Sequence, residues 1–269
     1  MSAPARYGAS AAEPSRWAAP ESWLPTLALA LLVVALWEAA IRFFHVSSFI
    51  VPAPSAIVTA MIHDARPLAA AAVVTAKEIL VGFVAAAVVG IVLALIIARF
   101  RLFGRALYPL VVLFQNVPKV ALAPIFILWF GYDLTPKVGL IVVIAFFPVT
   151  LSILTGIEAV EPSLIALMHS VGARPNEILA RIQIPHALPN LMAGLKIAAT
   201  FSVIGAIVGE FAGASAGLGY IIQFASTQLD TALVFAALVV VSIVGVGFYY
   251  LVEYLEKLIV PWAPKFTRS

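Results

Sequence analysis

A chain of 269 residues with 63% hydrophobic side chains, only 11% charged ones and a mean hydropathy of +1.09 is too apolar for a soluble fold, in which about 25% of residues carry charge. The net charge of +3 does not indicate a nucleic-acid binder. The absence of cysteine excludes disulfides, thiolate metal sites and a cysteine nucleophile. The composition predicts an all-α, polytopic membrane protein.

Residues 1–22 are rich in Ala, Pro and Ser and read as a flexible leader. Arg6 and Arg16 precede an apolar run over Trp23–Phe44. That run is too long for the h-region of about 7–15 residues of a signal peptide, and it reaches the roughly 20 residues that cross a bilayer. It is read as an uncleaved first span, with Trp23 and Phe43-Phe44 at the interfaces. The breaker Val51-Pro52-Ala53-Pro54-Ser55 follows, with Ser55 as a candidate cap for a short helix over Ala56–His63. The second span is expected over Val73–Ala98, with Gly82, Ala86 and Gly90 on one packing face.

Arg99, Arg101 and Arg105 form the densest basic cluster. The third span, Tyr108–Gly131, contains Pro109, Pro118 and Pro124 and is expected to be kinked or broken. Lys119 falls within it. Counted along a continuous helix from Tyr108, it would lie roughly 16 Å deep. There it would line a cavity or face freed carbonyls and water. A turn at Tyr132–Thr135 leads to a fourth span over Pro136–Gly156.

The interval 158–187 reads as an elbow of two short amphipathic helices, Pro162–Ser170 and Pro175–Ile184. Gly172 suits the C-cap between them, because it adopts φ > 0 without a Cβ clash. Pro175 suits the first turn of the second helix, and Pro185 and Pro189 are expected to stop it. A fifth span follows over Leu188–Ala212. Gly205, Gly209 and Gly213 share one of its faces and are expected to admit a close helix, within the subunit or across a homodimer. Glu210 sits near the end of this span and is a candidate for the pathway or an outer gate. The sixth span is expected over Ala232–Leu255. Lys257 lies beyond it, and residues 263–269 form a tail containing Lys265 and Arg268.

With the N-terminus inside, ten Lys and Arg flank the inner ends of the spans: Arg6, Arg16, Arg99, Arg101, Arg105, Arg174, Arg181, Lys257, Lys265 and Arg268. At most four flank the outer ends: Arg42, Arg66, Lys77 and Lys137. The asymmetry predicts six spans with both termini cytoplasmic. It also puts 99–107 and 158–187 inside and 45–72 and 213–230 outside. The chain carries no G-x-x-x-x-G-K-[ST] phosphate loop, no paired metal-ligand spacing and no catalytic constellation. Its histidines (His45, His63, His169, His186) are scattered. It reads as a pathway, without a catalytic residue or cofactor of its own.

Gly172, nine residues, then Ile182-Gln183-Ile184-Pro185 resembles the second half of the cytoplasmic loop of bacterial ABC importer permeases. Their pattern is Glu-Ala-Ala, three residues, Gly, nine residues, Ile-x-Leu-Pro. Here Ala166-Leu167-Met168 occupies the Glu-Ala-Ala slot and Ile184 replaces the Leu. Pro118–Pro124, Trp129-Phe130-Gly131, Gly209-Glu210-Phe211 and Gly217-Leu218-Gly219 are similar to the nitrate/sulfonate/taurine group of these permeases. The run Gly194–Tyr220 most resembles permeases for thiamine-pyrimidine precursors or riboflavin.

The resemblance implies a bacterial inner-membrane importer. Two permease copies, expected as a homodimer, would work with two ATP-binding subunits that carry ATP–Mg and with an extracytoplasmic substrate-binding protein. The elbow would dock on the ATPase through Ala166, Leu167, Met168, Gly172, Ala173, Ile182 and Pro185. A secondary ion-coupled transporter and a structural assembly protein are the alternatives. The former usually shows internal repeats or several intramembrane acidic groups, and neither is evident. The latter leaves the elbow without a role.

Overall fold

The computed structural model describes residues 23–100 and 116–262, with residues 104, 109, 110 and 113 between them. The expectations for the leader, for the tail and for Arg101, Arg105 and Tyr108 lie outside the described residues. The described chain is helical, with no strand among the described residues. Its elements are α1 (Trp23–Phe43), α2 (Pro54–His63) and α3 (Ala65–Arg99), then a 3₁₀ turn (Lys119–Leu122) running into α4 (Ala123–Phe130). After these come α5 (Leu134–Glu158), α6 (Pro162–Ser170) and α7 (Pro175–Ile178). A π turn (Leu179–Gln183) leads into α8 (Ile184–Gly213), followed by α9 (Leu218–Thr227) and α10 (Thr231–Ile259).

Among the described residues, five helices are long and apolar enough to cross a membrane: α1, α3, α5, the α7–α8 run and α10. The expected third span is not a sixth continuous helix. The chain breaks around Pro118, and α4 is only 8 residues long. Three other expectations are corrected. α3 starts at Ala65, eight residues before Val73, and its 35 residues make it about 52 Å long. Ala53, not Ser55, caps α2. Pro54 presets the first helical turn, while the Ser55 N–H and hydroxyl donate to Glu38 of α1 at 3.0 and 2.8 Å.

The third correction concerns Pro185 and Pro189, which do not stop the second elbow helix. The π turn widens the backbone ladder, so that the Ile184 N–H reaches back to the Leu179 carbonyl. Such a bulge interrupts the ordinary i→i−4 pattern and accommodates a residue that lacks an N–H. Pro185 therefore enters α8 in its first turn, and Pro189 lies inside the same helix.

α3, α5 and α8 form the core. Ile79, Ala86 and Ala94 of α3 meet Ile141, Ala145, Val149 and Ile153 of α5 and Ala187, Ala198 and Ala206 of α8. Small residues set the spacing. A Cβ on Gly90 would lie 2.7 Å from the Phe146 carbonyl oxygen, and one on Gly156 would lie 2.7 Å from Ala187 Cα. Without hydrophobic drive between helices in lipid, such close contact is the main source of association. α9 and α10 pack together and with α2, burying Leu218, Ile222, Ala236 and Ala237. α1 leaves almost all its apolar side chains exposed, a face suited to lipid or to another subunit.

The elbow and the buried charge cluster

α5 and α8 run antiparallel in close contact along most of their length, and the elbow joins them at one end. α6 ends in a Schellman turn: the Ala173 N–H bonds the Met168 carbonyl and the Gly172 N–H bonds the His169 carbonyl, both at 3.0 Å. This motif needs a left-handed residue at the turn, and Gly172 has φ +79° with open space where a Cβ would stand. The next helix opens at Pro175, and the Glu177 carboxylate accepts the Arg174 N–H at 2.8 Å. On the inner side, Ile165, His169, Ile178 and Leu179 face Ala98 and Arg99 at the end of α3 across an open pocket.

The outer side of the elbow carries apolar groups with no partner in the subunit. Leu167 is 58% exposed and Val171 71%. Ala166, Gly172 and Pro185 are exposed, whereas Met168, Ala173 and Ile182 are half-buried. His186 Nδ1 lies 3.1 Å from the Gly156 carbonyl oxygen, tying the start of α8 to the end of α5.

Lys119 is half-buried at the start of the 3₁₀ turn. The break at Pro118 means that its depth does not follow from a helical count starting at Tyr108. α4 then ends at Gly131, whose φ is +81°. Ile125, Leu128, Trp129 and Phe130 of α4 are exposed.

The glycine face of α8 turns towards α5 and the turn before it. A Cβ on Gly205 would stand 3.0 Å from Ile141 Cα, one on Gly209 3.2 Å from Lys137 Cγ, and one on Gly213 2.9 Å from the Tyr132 ring. These contacts are all within the subunit. Beside them lies a polar cluster at the end of the bundle opposite the elbow. Glu210 is fully buried. Its carboxylate accepts the Thr75 hydroxyl at 2.6 Å and the Gly219 N–H. Thr75 in turn accepts the Leu218 N–H at 2.8 Å. Side chains of α3 and α8 thus satisfy the first two N–H groups of α9, which no side chain of its own caps.

Lys137 donates to Glu78 at 2.5 Å, and both side chains are buried. Sequence reasoning missed Thr75, Glu78 and Lys137. Lys137 was counted as a flanking charge, and Glu78, five residues into the expected second span, was given no role. The available signal was an acidic residue inside an apolar helix, which calls for a named partner.

Long apolar helices, a polar elbow between two of them and a buried ion pair at the far end are the frame of a multi-pass membrane protein. The chain belongs to the family described as binding-protein-dependent transport system inner membrane component, which matches residues 86–261. It is 36% identical over 242 residues to the formylaminopyrimidine transport permease protein ThiX of Halalkalibacterium halodurans, covering 90% of this chain and 96% of that one. It is 33% identical over 246 residues to the riboflavin transport system permease protein RibX of Chloroflexus aurantiacus, covering 90% and 91%.

Among solved structures, an inward-facing form of the MetNI methionine ABC transporter matches with a TM-score of 0.55 and 22% identity, over 73% of this chain and 94% of that one. An amino acid ABC transporter matches with a TM-score of 0.59 and 17% identity, over 74% and 97%. These two share the fold. The chain is a permease subunit of an ABC importer, spans the membrane several times and leaves ATP hydrolysis to a separate subunit.

Proposed function

We propose that two copies of this permease form the translocation pathway of a bacterial inner-membrane importer. Each copy presents its elbow to one of two ATP-binding subunits carrying ATP–Mg, and an extracytoplasmic binding protein delivers the solute. The observation that carries the elbow's role is the rigid Schellman turn, which displays exposed Leu167 and Val171 on a stiff connection between α5 and α8. Ala166, Met168, Ala173, Ile182 and Pro185 complete that docking surface. Lys119, beside the break at Pro118, contributes to the pathway. Gly205, Gly209 and Gly213 act in helix packing within the subunit.

The cargo is a small polar or anionic solute. Likeness to the formylaminopyrimidine and riboflavin permeases favours a heteroaromatic compound over a sulfonate, taurine or nitrate. Uptake of radiolabelled formylaminopyrimidine, riboflavin and taurine by cells expressing the whole system tests this. The heteroaromatic compounds should enter and compete with each other, and entry should stop when the ATPase is inactivated. Uptake of taurine alone would refute the substrate class, and uptake without ATPase would refute the mechanism.

The orientation follows from the basic residues at the elbow, Arg174 and Arg181. With no native cysteine, single cysteines report it directly. Ser170 and Ser215 are both exposed and lie towards opposite ends of the bundle. Ser215→Cys should react with an impermeant thiol reagent from outside, and Ser170→Cys only after the inner face is opened. Labelling of both from the same side would contradict the arrangement.

A further inference from the structure

Three buried ionisable side chains lie at the end of the molecule opposite the elbow: Glu78 of α3, Lys137 of α5 and Glu210 of α8, at 4%, 8% and 0% exposure. Thr75 accepts the Leu218 N–H and donates its hydroxyl hydrogen to Glu210. The Gly219 N–H also goes to the Glu210 carboxylate. The ammonium of Lys137 goes to Glu78 Oε1. Glu78 Oε2, fully buried, receives no donor. Glu78 lies three residues along α3 from Thr75, which bonds Glu210, and its partner Lys137 packs against Gly209, the neighbour of Glu210, so the two carboxyl groups belong to one buried cluster. An ionised carboxylate can only accept. With both carboxyl groups ionised, the cluster would hold one buried acceptor without a donor and two negative charges against one positive charge.

We propose that Glu78 and Glu210 hold one proton between them, so that this cluster is a buried proton-binding site clamping the N-terminus of α9. With the proton on Glu78 Oε2, its hydroxyl donates to Glu210. The unpartnered acceptor is then satisfied, the cluster becomes neutral, and two like charges become a hydrogen-bonded pair. α9 and the loop before it face the site with backbone N–H groups at Leu218 and Gly219. Lys77, next to Glu78 in sequence, is exposed and does not supply the missing charge. An alkali cation is a poorer occupant. It needs several oxygen ligands at once, whereas both Glu210 oxygens are engaged and Lys137 already holds the cationic position beside Glu78. Gly217 and Gly219 bring backbone against the Glu210 side chain, where even a Cβ would collide.

Infrared difference spectroscopy of the whole importer tests the site. Near neutral pH, wild type minus Glu78→Gln should show one protonated-carboxyl band per permease chain, shifting on exchange into D2O. Glutamine at this position offers an oxygen to Lys137 and an N–H to Glu210, so the fold is retained. Glu210→Gln should also remove the band, because Glu78 is then left with Lys137 as an equal pair. A wild-type protein without the band overturns the proposal, as does a band that survives both substitutions. A thermal midpoint raised by sodium, with no carboxyl band, would assign the site to an alkali cation and overturn it as well.

Discussion

Gly217→Val should destabilise the permease by about 3 kcal/mol or more and release α9 from the bundle. Gly217 has φ +111° and ψ 171°, a region open essentially to glycine alone and costing other residues on the order of 1–3 kcal/mol. The new side chain also has nowhere to go, because a Cβ there falls on the Glu210 carboxyl group. Overpacking adds about 1–3 kcal/mol, and displacing Glu210 strips the Gly219 N–H of its acceptor. The thermal midpoint of the detergent-solubilised protein and limited proteolysis across 214–230 measure the effect. Cleavage should speed up in that segment before the core opens. A midpoint and cleavage pattern equal to wild type would mean that the loop re-forms without the left-handed turn.

Gly172→Val should act differently, with a modest effect on stability and a large one on transport. There is open space around the site, so the cost is conformational, on the order of 1–3 kcal/mol. The chain can relieve it by giving up the two hydrogen bonds that end α6. The five long helices and their core lie elsewhere and should insert as before. The direction of α6 relative to α7 changes, and with it the position of Leu167 and Val171. Co-purification of the ATP-binding subunit should fall several-fold, and uptake should fall further than permease abundance does. Leu167→Ala, which removes contact area alone, should act in the same direction more mildly. Normal recovery of the ATPase with normal uptake would place the docking surface elsewhere.

The parts of the fold legible in the sequence were those governed by neighbours along the chain. The helix over Pro162–Ser170 and the left-handed turn at Gly172 follow from glycine and proline placement within a dozen residues. The fourth span emerges as Leu134–Glu158 against an expected Pro136–Gly156 because its apolar run is uninterrupted. The start of α3 was hidden, since Ala65–Ala72 mixes Arg and Pro with alanine and lacks a strong apolar signal. The continuity of α8 through two prolines depends on a π turn, which has no simple residue signature.

Partners remote in sequence were the least legible. Glu78 and Lys137 are 59 positions apart, and nothing local to either names the other. The glycine face of α8 could be drawn from spacing, but its occupant could not. Only the packed structure puts Ile141, Lys137 and Tyr132 there.

The seam between α5 and α8 limits how the permease can move. Along it, Gly156 receives Ala187, Gly194 receives Ser152 and the Pro148 carbonyl, and Gly205 receives Ile141. Each is a notch fitted to one opposing group, so axial sliding by even one residue would drive side chains into backbone. Piston-like travel is therefore blocked, and the two helices must swing together as one beam with the elbow as its handle. A beam of about 24 residues is roughly 36 Å long, so a tilt of about 10° at the handle sweeps the far tip through some 6 Å, roughly the width of a small solute.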